Sequence, residues 1–99
     1  MRKSKRVDGI IKVAKLIVNV SNDPYKKDAE DLGQLEKTIF YRYGFLVTDW
    51  GMEWKDHGFE YKASVYARKD SELPIVSRDN MIVWLEKKYN NIRAYSSHD

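Results

Sequence analysis

Cysteine is absent from this 99-residue chain, which removes disulfides, thiol nucleophiles and thiolate metal ligands together. Histidine is scarce. His57 and His98 lie far apart and neither stands at ligand spacing with a carboxylate pair, so no metal site is expected. The five glycines are scattered singly and build neither a phosphate loop nor a dinucleotide fingerprint, so no cofactor is expected either. Thr48, Ser64 and Ser77 lack a visible base or glycine elbow. Asp49 and Glu53 read as the wet side of a strand, not as an acid–base pair across a pocket. These absences argue against an enzyme.

Long apolar runs are also missing. No stretch reaches the roughly 18 residues a membrane-spanning helix needs. The basic start (Arg2, Lys3, Lys5, Arg6) followed by apolar residues has the outline of a secretion signal. Lys12 and Lys15 interrupt it, and no small-residue cleavage site follows. With no cysteine either, the expectation is a cytoplasmic protein.

Charge is plentiful but unevenly placed. Residues 1–27 hold eight Lys or Arg against Asp8 and Asp23, while the rest holds ten against thirteen acids, so the net +3 conceals a basic leading third. Such a lead suits a polyanion, nucleic acid first, and is also what a plain solvated tail looks like. The length allows one modest core. The expected layout is a basic tail over 1–6, one compact domain over 7–92 and a frayed end over 93–99.

Aromatics are the surplus: seven Tyr, three Trp and three Phe. They crowd the most strongly patterned stretch. Phe59, Tyr61, Ala63, Val65 and Ala67 alternate with Glu60, Lys62, Ser64, Tyr66 and Arg68, the period of a strand with one covered face. Trp50, Met52 and Trp54 share one parity upstream, and Lys55-Asp56-His57-Gly58 supplies a turn. The spacing predicts an antiparallel hairpin over 45–55 and 59–69, with Gly51 marking a bulge. Leu73-Pro74-Ile75-Val76 offers a third strand at an edge, where proline's missing amide is tolerated.

The segment 7–20 fits two periods. As a strand it would set Lys12 among Ile10, Ala14, Leu16 and Val18. As a helix it gathers Asp8, Lys12, Lys15 and Asn19 opposite an apolar stripe, so a helix is predicted. A second helix, capped at Asp23 or starting nearer Asp28, carries Leu32, Leu35, Ile39 and Tyr43 and ends at Gly44. A last helix, capped by Ser77 or Asp79, runs through Met81, Ile82 and Leu85 to Tyr89. The fold class is α+β in the order α-α-β-β-(β)-α, a hairpin or small three-stranded sheet with helices on one face.

Two functions of different class follow. One is a small nucleic-acid-binding or regulatory module in a winged-helix-like arrangement. Its contacts would be Arg2, Lys3, Lys5, Arg6, Lys12, Lys15, Lys37, Arg42, Lys62 and Arg68, with Tyr41, Trp54 and Tyr66 as aromatic contacts. The other is a protein-interaction module, of an accessory, antitoxin-like or inhibitor kind, that uses the aromatic hairpin face or edge for a partner or a second copy of itself. A membrane-surface role for the first segment is less well supported, since only Lys12 and Lys15 populate its basic side.

Overall fold

The computed structural model describes residues 9–21, 31–56, 58–69 and 74–97. Four strands and two helices follow one another in these residues as β1 (Ile10–Ser21), α1 (Leu32–Tyr43), β2 (Leu46–Lys55), β3 (Gly58–Arg68), α2 (Pro74–Lys88) and β4 (Ile92–Ser96). The sheet order is β2-β3-β1-β4, and every neighbouring pair is antiparallel. This is the split βαβ, or ferredoxin-like, arrangement. Both helices lie on one side of the sheet, and the other side carries no described element.

The hairpin forms where the alternation placed it, with Leu46–Lys55 against Gly58–Arg68. Its turn needs Gly58. The backbone there has φ 156°, and a Cβ would overlap the Val20 carbonyl oxygen on β1. The register slips between Thr48 and Gly51, a bulge centred on Asp49 at φ 62°. The alternation also names the covered face correctly: Ala63, Val65 and Ala67 are buried, and Tyr61 packs against the core.

Segment 7–20 is not a helix. Its described part is β1, the strand that joins both halves of the sheet. Strict alternation would bury Lys12, which is what favours a helix on sequence grounds. A bulge between Lys12 and Ala14 removes that conflict: Lys12 lies opposite Tyr66 and Ala14 opposite Val65, so the parity changes at Val13. Val13, Ala14, Leu16 and Val18 are then buried, with Lys15 exposed. β-branched Ile10, Ile11, Val13, Ile17, Val18 and Val20 favour the same outcome.

Three further boundaries differ from expectation. Helix α1 is capped by Asp31, whose Oδ1 accepts from the Gln34 amide at 3.0 Å; the caps proposed at Asp23 and Asp28 fall outside the described residues. Its other end is as expected: Gly44, at φ 77°, donates its amide to the Phe40 carbonyl at 2.8 Å. Pro74 does not sit in an edge strand. It opens α2, where a missing amide costs nothing, so the helix starts before Ser77 and Asp79. Ile92 does dock back, but as the first residue of β4; 93–96 pair with β1 instead of fraying.

The core lies between sheet and helices. Leu35 and Ile39 of α1, and Met81 and Leu85 of α2, close over Leu16, Val18, Val65 and Ile92. A ring cluster joins the helices. Trp84 meets Tyr43 edge-on at 6.1 Å, and Arg42 and Lys88 stand over the Trp84 ring at 4.4 and 5.1 Å. Trp50 donates its indole N–H to Glu36, tying β2 to α1 just past the bulge. On the core stripe of α2, Arg78 is only 7% exposed and reaches Asp79 at 2.9 Å.

Candidate functional site

The uncovered face of the sheet brings together residues that stand far apart along the chain. Register places them in rows. Lys12 on β1 stands opposite Tyr66 on β3. In the next row Lys15 lies between Ser64 of β3 and Tyr95 of β4, and in the row after that Ile17 lies between Lys62 and Arg93. Directly opposed side chains sit about 5 Å apart. Rings and cations therefore stand side by side across three strands, on a surface that no described helix covers.

This face has two electrostatic halves. Toward the hairpin tip, Lys55 and Lys62 each pair with both Glu53 and Glu60, at 3.3–3.7 Å. The four charges cancel. The Glu53 carboxyl is held below its ordinary value by the hydrogen bond from Lys55 and then by the charge of Lys62, and Lys55 is held above its own by the same partnership. Toward β4, Lys12, Lys15 and Arg93 have no ion pair among the described residues. Asp49, turned outward by the bulge, accepts from the Tyr66 hydroxyl at 3.0 Å and orients that ring. Tyr95 is half exposed.

A cleft of about 660 Å³ lies at the hairpin-tip end of the sheet. Asn19, Trp54, Lys55, Phe59, Asn91 and Arg93 are among its lining residues. Trp54 and Phe59 are tilted together with centroids 4.4 Å apart. The loop before β4 is pinned there by paired bonds: Asn19 N–H to the Asn91 carbonyl at 2.9 Å, and the Asn91 side-chain amide to the Asn19 carbonyl at 2.8 Å.

Of the expected contacts, Lys12, Lys15, Lys62, Tyr66 and Arg68 share this face. Lys62 is neutralised within the ion-pair square. Lys37, Tyr41 and Arg42 do not join them, because α1 lies on the opposite side of the sheet. The Arg42 guanidinium stacks on Trp84 and Tyr43 instead of facing out for a groove. Since α1 follows a strand, the helix–helix–hairpin order of the winged-helix reading is not present among the described residues. Arg2, Lys3, Lys5 and Arg6 lie outside the described residues, as does His57 of the turn.

Sequence reasoning does not single out Arg93 and Tyr95. Their signal is the short alternation Ile92-Arg93-Ala94-Tyr95, which reads as a strand once 93–99 is not set aside as a tail. No group of three or more metal-ligating side chains comes together among the described residues, and no described helix is long and apolar enough to cross a membrane. No family model, curated protein or solved structure matches this chain, so geometry alone carries the reading.

Proposed function

We propose that the chain binds single-stranded nucleic acid on the uncovered sheet face. The observation that carries this is the row pattern: Lys12 beside Tyr66, and Lys15 beside Tyr95, on a surface that no described helix covers. A strand's bases stack on rings of any sequence context, and its phosphates need nearby cations that are not already paired. Lys12, Lys15 and Arg93 meet the second need. A duplex is the poorer fit, because a broad sheet does not enter a groove as a helix does, and α1 points its stacked Arg42 toward α2.

Fluorescence anisotropy with labelled single-stranded and duplex oligonucleotides at low salt tests this. Single strands should bind more tightly, and affinity should fall with salt. Changing both Lys12 and Lys15 to Glu should flatten the salt slope by roughly 0.7 for each phosphate no longer neutralised. Absence of binding to any single strand at low salt would sink the proposal.

A further inference from the structure

The sheet has two edges, and they are finished differently. At β4 the Ala94 amide donates to the Glu86 carboxylate of α2 at 3.2 Å, and Arg93 Nη1 donates to the Ile92 carbonyl at 3.2 Å. Side chains there occupy backbone groups that an added strand would need. At the β2 edge, no described side chain hydrogen-bonds to the strand's backbone.

The β2 edge also carries two apolar features on its helix-covered side. Near the hairpin tip Trp54 projects, 73% exposed. At the strand's start lies a groove of about 190 Å³ between α1 and β2, lined by Lys37, Phe40, Tyr41, Phe45 and Val47 among others. Tyr41 on its rim is 83% exposed. Strict alternation would put Val47 and Trp54 on opposite sides of the sheet. The extra residue at the Asp49 bulge puts them on the same side.

We propose that a second copy of this chain occupies this edge. The two β2 strands pair antiparallel about a two-fold axis normal to the sheet, and each Trp54 enters the other copy's groove. With Val47 opposite the second copy's Trp54, Thr48 meets Glu53 and Leu46 meets Lys55. Covered side meets covered side and uncovered meets uncovered. The ladder forms as two short runs flanking the bulges, and Lys37 lies where it can stand over the incoming indole. The contact is isologous and closes at two copies. Self-complementarity selects the occupant. An unrelated extended peptide could pair with the edge or fill the groove, but it would leave Trp54 in water. A second β2 brings a groove of its own.

Sedimentation velocity of the full chain over a concentration series tests the proposal. A dimer is expected, and Trp54→Lys or Tyr41→Glu should each weaken it at least roughly tenfold while leaving the circular dichroism unchanged. Mixing the two variants should restore a dimer, because one contact is then native and the other pairs lysine with glutamate. A monomer at the highest attainable concentration overturns the proposal. So does a dimer indifferent to both substitutions, or a mixture that stays monomeric.

Discussion

Lys15 and Leu16 are neighbours in the chain and belong to opposite sides of one sheet. Leu16 is fully buried beneath the helices, while Lys15 is exposed between Ser64 and Tyr95. On the covered side the physics is area and fit, with aliphatic side chains and small alanines close-packed under two helices. On the other side it is charge and ring chemistry, which contributes little to folding and leaves the side chains available to a ligand. The groups proposed to bind are therefore held on the same strands that carry the core, instead of on loops.

The sharpest way to break this comparison is to truncate one residue on each side. Leu16→Ala should lose about 2–5 kcal/mol in urea unfolding, because the cavity left under α1 and α2 collapses only partly. Lys15→Ala should stay within about 0.5 kcal/mol of wild type in the same measurement. Equal effects would mean that the two sides are not divided as described.

A smaller effect separates the halves of the uncovered face. Lys15→Ala should weaken single-strand binding by about 1 kcal/mol and reduce its salt slope. Lys62→Ala should reduce the slope less, since Lys62 is held by Glu53 and Glu60 and would have to leave both carboxylates to meet a phosphate. Anisotropy titrations at two salt concentrations read both.

The smallest effect is that of pH on the square itself. Glu53 should titrate below its ordinary 4.5 and Lys55 above its ordinary 10.5, measured by side-chain NMR. The glutamate's contribution to stability is present above its ordinary value and fades as pH falls through the lowered one. The lysine's is present below its ordinary value and fades as pH rises through the raised one. Both groups are exposed, so the chemical shifts should move while the unfolding midpoint scarcely does.

Much of this is legible without coordinates, and the exceptions share a cause. The hairpin and the Gly44 stop are readable because alternation and a left-handed cap are local signals. β1 reads as a helix because its bulge breaks the alternation at the one place where a lysine tests it. Pro74 suits both an edge strand and a first helical turn, and only tertiary context chooses between them. β4 is five residues long, too short to stand out from a tail, and Arg93 and Tyr95 go unnoticed with it. The site is half visible for the same reason. Its β1 and β3 residues can be named singly, but only the register of three strands shows that they are neighbours.

The Asp49 bulge bears on how this hairpin can change length. From Thr48 to Gly51 β2 takes three steps against two on β3, so losing Asp49 would erase the bulge and leave the pairing on both sides of it in place. Trp50, Met52 and Trp54 would stay on the roofed flank, and the Tyr66 hydroxyl would lose the Asp49 carboxylate it donates to. Elsewhere in β2 an odd change of length would turn the rings beyond it onto the cationic side, so the bulge is where this strand can give up a single residue.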